Sequence, residues 1–359
     1  MRLVDLFCGC GGFSLGAHAA GFDVVSAYDV DPNLTLSFSR NFPDTGLNLE
    51  DVTTLTGERL LASAGGKIDG IFGGPPCQGF SDIGRRAVDD PRRQLLGHFF
   101  RLVAEVEPAF FVMENVRGLA YSDARHVLDD ALALVSDRYA VQGPHIWDAA
   151  HFGAATRRQR LFVIGIHKDR GEAMSLEEIA ARKVEPTTVR AAIGDLHNAV
   201  RVGDDDGYDV WRFARPGRPS NYASAMRDQS GRFTGHTKTV HGPEIARRFA
   251  ALETGAIDPI GRHPKLDWEA QCPTLRAGTG ADRGSYQSVR PIHPDEPRVI
   301  TVREAARLQG FPDAHRFHPT VWHSFRMIGN SVSPVIAREI FTAVAEKLGR
   351  RPAYAIAAE

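Results

Sequence analysis

Short apolar runs alternate with amphipathic stretches through the first half of the chain. Arg2 to Phe7 predicts a buried strand, Phe13 to Ala20 a helix closed by Gly21, and Val24 to Tyr28 a second strand. Ile68 to Phe72, Ala109 to Met113 and Leu161 to Ile166 are rich in β-branched and aromatic residues and predict further strands. Helical spacing falls between them at Leu95 to Val106 and Ala124 to Val135. This βαβα rhythm predicts an α/β fold, an open and mostly parallel sheet with helices on both faces.

The rhythm stops after about Lys168. From roughly Val200 to Pro297 the chain is rich in Gly, Pro, Arg, His and Asp, as in RVGDDDGYDVWRFARPGRPSNY, and long periodic runs are few. That composition predicts a smaller, loop-rich second domain suited to recognition. Helical spacing returns at Val302 to Gln309 and from Pro334 to Leu348. The expected organisation is a catalytic domain over 1–195, a recognition domain over 196–298, and a segment 299–359 that completes the catalytic domain.

The chain has 359 residues, 43% of them hydrophobic, enough for a sizeable core and too many for a disordered chain. A net charge of -1 gives no global electrostatic signature, so a nucleic-acid partner would require locally concentrated basic residues. The N-terminus lacks the apolar run of a signal peptide, and no stretch reaches the roughly 18 to 20 apolar residues that span a bilayer. A soluble, intracellular protein without a membrane partner is expected. The four cysteines Cys8, Cys10, Cys77 and Cys272 show neither a disulfide framework nor a CxxC zinc spacing, so no metal is expected.

The segment VDLFCGCGGFSLG sits where the first strand meets the first helix. Glycines there let the backbone turn sharply and approach a ligand, with a helix N-terminus behind. Gly9 and Gly11 fit a dinucleotide fingerprint, but the third glycine position is Ser14, which weakens a nicotinamide or flavin reading. Asp29, at the end of the second strand, is placed to bind ribose hydroxyls, and Asp51 to accept from an adenine amino group. Together they suggest an adenosine-containing cofactor without a pyrophosphate. A tight turn with no ligand is the plain alternative.

GGPPCQGFS follows the next strand directly, where ligands of such sheets bind. Two prolines stiffen the approach to Cys77, a candidate nucleophile once deprotonated. Ser81 to Gln94, SDIGRRAVDDPRRQ, is polar and basic in two pairs and could close over a phosphate backbone or be a solvated loop. Glu114 ends an apolar strand in FFVMENVRG, where a carboxyl can serve as an acid, and Asn115 could position its backbone. TRRQRLFVIG places Arg158 and Arg160 two apart on one strand face, suited to an anionic or carbonyl-bearing group.

In this order, DLFCGCGG, GPPCQGFS, ENV, RRQR, TVREAARLQGFPD and GNSVSP resemble the motifs of the DNA (cytosine-5) methyltransferases of bacterial restriction-modification type. The resemblance covers nearly the whole chain. It implies the S-adenosylmethionine-dependent methyltransferase fold, a Rossmann-like sheet with a target-recognition domain. Phe7 would stack near the cofactor adenine, with Gly9, Gly11 and Gly12 admitting the cofactor. Asp29 with Val30 would hold the ribose side and Asp51 with Val52 the adenine. Asn330 and Val332 would complete the pocket, which implies that the last helix returns to the first domain. Cys77 would add to carbon 6 of a cytosine flipped out of the duplex, Glu114 would bond ring nitrogen 3 and the amine, Arg158 would position the base carbonyl, and Arg160 would support the thiolate or a phosphate. S-adenosylhomocysteine would be the product. The chain departs from the family at Thr156, usually glutamine, and at Asp29, often glutamate.

The implied partner is double-stranded DNA, bound by a monomer in the cytoplasm of a bacterium or phage-infected cell, and a separate cognate restriction endonuclease would suit such an enzyme. The chain opens at the catalytic strand, which fits a compact enzyme of that kind. Arg212, Arg215, Arg218, Arg232, Lys238, Arg276 and Arg283 are candidate contacts to DNA, phosphate contact being the commoner arginine role. Among rivals, a transfer-RNA methyltransferase of the same fold typically carries a Cys-Phe-Thr tripeptide that this chain lacks. A silent nucleic-acid binder is disfavoured by intact Cys77, Glu114 and Arg158, and a nicotinamide oxidoreductase by Ser14.

Overall fold

The computed structural model describes residues 1–76, 94–215, 217–278 and 290–350. The chain divides into two compact units. The first comprises Met1–Asp148, Gln159–Lys183 and Pro334–Glu359, and the second Ala149–Arg158 and Val184–Ser333. These limits differ from the sequence boundaries: residues 299–333, expected with the first domain, cluster with 184–298 instead.

The first unit runs β1 (Arg2–Leu6), α1 (Gly12–Ala19), β2 (Asp23–Asp29), α2 (Phe38–Asn41), β3 (Gly46–Leu49), α3 (Gly57–Ser63), β4 (Gly70–Gly73), α4 (Gln94–Val106), β5 (Phe110–Val116), α5 (Ser122–Ala133), β6 (Tyr139–Asp148), β7 (Gln159–His167) and α6 (Leu176–Ala180). Its seven strands form one sheet in the order β3-β2-β1-β4-β5-β7-β6. The first five are parallel, and β7 runs antiparallel between β5 and β6. The expected α/β fold with a mostly parallel sheet is therefore present.

Alternate residues of the central strands explain why they read as continuous apolar runs. Ile71, Phe111, Met113 and Val163 join a core with Leu60 of α3, Phe99 and Phe100 of α4, and Leu128 of α5. Their neighbours Phe72 and Phe162 meet Phe13 of α1 on the other face, where Phe72 also lies 5.0 Å from Phe341. A sheet covered on both faces leaves no polar side to its strands. Phe341 belongs to the last helix, Pro334–Lys347, which packs on α1 at Gly16. A Cβ on Gly16 would lie 2.3 Å from that of Ala337, so glycine permits the close approach.

The second unit contains α7 (Val189–Ile193), β8 (Ala199–Asp205), β9 (Tyr208–Phe213), α8 (Asn221–Met226), β10 (Arg232–Thr234), α9 (Pro243–Ala251), α10 (Val302–Gln309) and α11 (Val321–Asn330), so the helix at Pro334–Lys347 is α12. β8, β9 and β10 form an antiparallel sheet in the order β10-β9-β8. Thr301 starts α10 with a capping box: its hydroxyl accepts from the Glu304 backbone while the Glu304 carboxylate accepts from the Thr301 N–H. All eight residues of α10 are buried, including Arg303, Glu304 and Arg307.

Candidate active site

In the first unit, the chain leaves β1 through a turn pinned to the end of β2. Phe7 has a φ of 68°, a left-handed conformation rare outside glycine, followed by Gly9 at 50° and Gly11 at 84°. A Cβ on Gly11 would fall 2.2 Å from the Phe42 ring, whereas one on Gly9 would meet nothing within 4 Å. Gly11 is thus fixed by packing and Gly9 opens outward, while Gly12 begins α1. The Cys8 N–H donates to the Tyr28 carbonyl at 3.0 Å, and the Gly9 N–H to Asp29 Oδ2 at 2.9 Å. Asp29 Oδ1 accepts from the Asp31 N–H at 2.9 Å. Burial pushes the Asp29 carboxyl up and these N–H bonds oppose it.

Val30, beside Asp29, is 63% exposed, an apolar side chain offered to solvent at the strand's carboxyl end. Asp51 follows β3 and accepts the Thr53 N–H at 2.9 Å, capping a short 3-10 turn whose Val52 is buried. A carboxylate at the end of β2, a second after β3, an exposed aliphatic surface and an open glycine turn together fit an adenosine-bearing ligand.

One pair in this turn was not legible as a contact in the sequence. Ser14 Oγ donates to Asp5 Oδ2, and both residues are buried. The position that breaks the dinucleotide fingerprint is therefore occupied by the hydroxyl that serves a buried carboxyl. Burial holds that carboxyl well above its ordinary range.

On the reacting side, Cys77 and residues 78–93 lie outside the described residues, including nearly all of the basic segment expected over Ser81 to Gln94. The approach to Cys77 is described. β4 pairs with β5 through Gly73 and Met113, and Gly74 follows beside Glu114. A Cβ on Gly74 would lie 3.0 Å from Glu114 Oε2. Asn115, 2% exposed, donates from Nδ2 to the Pro75 carbonyl at 3.1 Å, two residues before Cys77. The role expected of Asn115 is at the Glu114 backbone; its side chain instead holds Pro75, while its Oδ1 accepts from the Val116 N–H at 2.8 Å.

Glu114 stands opposite Phe162 on β7, and Val116 opposite Arg160. Residues two apart share a face, so Glu114 and Arg160 are diagonal neighbours on one face of the β5–β7 ladder. Arg160 Nε lies 3.0 Å from Glu114 Oε1, and the two side chains are 17% and 9% exposed. Burial lowers the Arg160 guanidinium, with Glu114 and Asp148 acting in the opposite direction. A nearly buried carboxylate with a guanidinium at its side is equipped to bond a planar, polar ring edge.

Arg158 is placed differently from the sequence expectation. The strand begins at Gln159, and Arg158 belongs to the second unit, 1% exposed. Its guanidinium donates to the carbonyls of Leu275 at 3.2 Å and Gly329 at 2.9 Å. Two residues earlier, Thr156 forms an isolated bridge with Cys272 and its hydroxyl donates to the Cys272 carbonyl at 3.2 Å. A short hydroxyl serves this crossing, where the family usually has glutamine. Asn330 is exposed at the end of α11, and Val332 is buried two residues on. The intervening Ser331 carbonyl accepts from Gln309 Nε2 at 3.1 Å, and Ser333 Oγ donates to the Gln309 carbonyl at 2.7 Å. Arg158, α10 and the GNSVSP turn are thus joined by hydrogen bonds within the second unit.

The model for C-5 cytosine-specific DNA methylases matches residues 1–346. The Type II methyltransferase M.XorII of Xanthomonas oryzae pv. oryzae is 41% identical over 368 residues, covering 97% of this chain and 85% of that protein. The Type II methyltransferase M.DdeI of Desulfomicrobium norvegicum is 32% identical over 379 residues, covering 95% and 87%. Among solved structures, a protein described as a prophage-encoded DNA modification methyltransferase of E. coli superposes with a TM-score of 0.86 at 38% identity, covering 98% of this chain and 100% of that one. The S. pombe Dnmt2 methyltransferase shares the fold at a TM-score of 0.65 and 18% identity, covering 97% and 99%. The chain belongs to the C-5 cytosine-specific DNA methylases and is a DNA cytosine-5 methyltransferase.

Proposed function

We propose that this methyltransferase acts on a cytosine flipped out of a specific short sequence in duplex DNA, through a covalent adduct on Cys77. The observation that carries the reading is the Glu114–Arg160 pair at the carboxyl end of β5, beside a Gly74–Pro76 approach that Asn115 holds in place. Carbon 5 of cytosine is a weak nucleophile. A Cys77 thiolate adding to carbon 6 makes the ring an enamine that is nucleophilic at carbon 5. Glu114 bonds ring nitrogen 3 and the exocyclic amine, which favours the adduct as charge develops.

Arg160, which faces Glu114, is assigned the base carbonyl together with the orientation of the carboxylate. This differs from the sequence expectation for Arg158, whose guanidinium braces the Leu275 and Gly329 carbonyls. The glycine turn Gly9, Gly11 and Gly12, with Phe7, Asp29, Val30, Asp51 and Val52, would hold S-adenosylmethionine, which when bound supplies an electrophilic methyl group and leaves as S-adenosylhomocysteine. Loss of the carbon 5 proton to water and departure of the Cys77 thiolate then restore the enzyme.

A base inside a stacked duplex is out of reach of such a site, so the cytosine must be extruded. We assign recognition of the flanking sequence to the region 196–298. The names of its relatives support a place in a restriction-modification system. Bisulfite sequencing of DNA from cells expressing the protein should show methylated cytosines in one short context. The Cys77→Ala variant should abolish the mark while binding S-adenosylmethionine normally. Full methylation by that variant would overturn the covalent scheme.

A further inference from the structure

The sheet β8–β9–β10 carries an arrangement that its own stability does not explain. Arg212 of β9 stands directly opposite Arg232 of β10, and Val200 of β8 stands opposite Arg212 on the other side. Directly opposed residues of an antiparallel pair share a face with their Cβ atoms about 5 Å apart, and like charges in that position repel. Both arginines are exposed. Among the described residues, neither has a carboxylate within ion-pair distance. The contrast with β8 is direct, since Arg201 there is ion-paired to Asp204 at 2.5 Å. Asp228, close in sequence to Arg232, is turned instead onto the backbone and hydroxyl of Ser230.

On β9 and β10 the same face is buried farther along, at Tyr208, Val210 and Thr234, and opens where the two guanidiniums stand. Exposed Arg215 and Arg218 follow β9. A chain with a net charge of -1 has thus set two cations side by side at one end of this sheet, while Asp204, Asp205 and Asp209 lie toward the other end of the β8–β9 ladder. Two planar forks borne on directly opposed strand positions suit the oxygens of a phosphodiester.

We infer that Arg212 and Arg232 form a clamp for the backbone phosphates of the DNA substrate, the anion supplying the counter-charge that the fold withholds. The inference rests on the reading of the protein as an enzyme of duplex DNA. The clamp positions the duplex without reading its sequence, because phosphates are alike at every step. Neutralising it therefore weakens cognate and non-cognate DNA alike and leaves the methylated sequence unchanged.

The test is the salt dependence of binding to a cognate and a scrambled duplex, for the wild type, Arg212→Gln/Arg232→Gln and Arg212→Lys/Arg232→Lys. Each phosphate contact contributes about 0.9 to the slope of log affinity against log salt. The glutamine pair should lower the slope by about 1.8, making binding roughly 60-fold weaker at 0.1 M salt and nearly equal at 1 M. The lysine pair keeps the charges and should retain most of the slope. Without DNA, Arg212→Gln alone should melt about 1–2 °C higher as the repulsion is relieved, which also shows that it folds. An unchanged slope in the glutamine pair, with wild-type binding intact, overturns the clamp. So does stabilisation by millimolar inorganic phosphate that the glutamine pair abolishes while DNA affinity is unchanged. A wild type that binds neither duplex overturns the proposed function itself.

Discussion

The first unit buries Phe72, Phe99, Phe100, Phe110, Phe111 and Met113 completely, and the second buries Arg303 and Arg307 just as completely. In the first, aromatic rings meet edge to face between sheet and helix, as Phe111 of β5 does with Phe100 of α4 at 5.3 Å. In the second, Arg303 donates to the carbonyls of Thr234, Pro312 and His315, and Arg307 bonds Asp313 and Asp195. Arg298 spans Glu296 and Glu304. Apolar burial is non-directional and tolerates change of shape. Buried ion pairs hold only while every partner is present, so the second unit is specified by polar geometry as well as by the burial of residues such as Phe233, Ile300 and Phe311.

The sharpest way to break the second interior is to remove one charge without changing shape. Glu304, 2% exposed, accepts from Arg298 Nη1 at 2.9 Å, from Nη2 at 2.8 Å and from the Thr301 N–H at 2.7 Å. Glu304→Gln takes from Arg298 its buried carboxylate and leaves it only the half-exposed Glu296, and should cost roughly 3–5 kcal/mol of unfolding free energy. Adding Arg298→Met removes the under-compensated charge, so the double variant should be more stable than Glu304→Gln alone. Urea titrations of the three proteins decide the matter, and a single variant within about 1 kcal/mol of wild type would refute the account.

Acid should act on the same interior by two steps of one sign. Burial holds His236 neutral, with its pKa lowered to about 4. A folded value below the ordinary one means that stability is full above about pH 6.5 and is lost as pH falls toward 4. Burial alone would raise Glu304, but the hydrogen bonds and charge of Arg298 outweigh it and hold it at about 2. Its contribution is present above about 4.5 and is lost below, toward 2. Between pH 7.5 and 5 the His236 step should cost on the order of 2 kcal/mol. The Trp211 ring lies 5.1 Å from His236, so Trp211 fluorescence during urea unfolding reports it. His236→Gln should flatten the change above pH 5, and an equal pH dependence in that variant would place the effect elsewhere.

This contrast explains what the sequence disclosed. β1, β2, β4, β5 and β7 are apolar runs because both sheet faces are covered, and all five were read within a few residues of their observed ends. β6 escaped because its segment YAVQGPHIWD is a half-buried edge strand interrupted by Gly143 and Pro144. β8 to β10 escaped because their outward positions are charged and their inward positions few. α10 was found as a helix, yet nothing in VREAARLQ announces that its arginines are inside. At the site, Glu114 and Asn115 were legible from the strand end. The pairing of Glu114 with Arg160, and of Arg158 with carbonyls more than a hundred residues away, depends on register and tertiary approach.

The pair Asp5–Ser14 is a polar exception inside the apolar unit and tests the comparison most finely. Burial raises the Asp5 pKa well above its ordinary value, and the Ser14 hydroxyl opposes that shift. For a carboxyl raised in this way, the contribution to stability is full below its unfolded value near 4 and is lost as pH rises through the folded value. Ser14→Ala removes the opposing bond and lifts the folded value further. The variant should therefore lose about 1 kcal/mol once pH exceeds the folded value, and progressively less toward pH 4, where wild type and variant both carry the proton. Stability measured by urea unfolding across that range would show the gap widen with pH, opposite in sign to the acid loss at His236. A gap of constant size would mean that the hydroxyl acts by packing alone, and that Asp5 keeps one protonation state throughout.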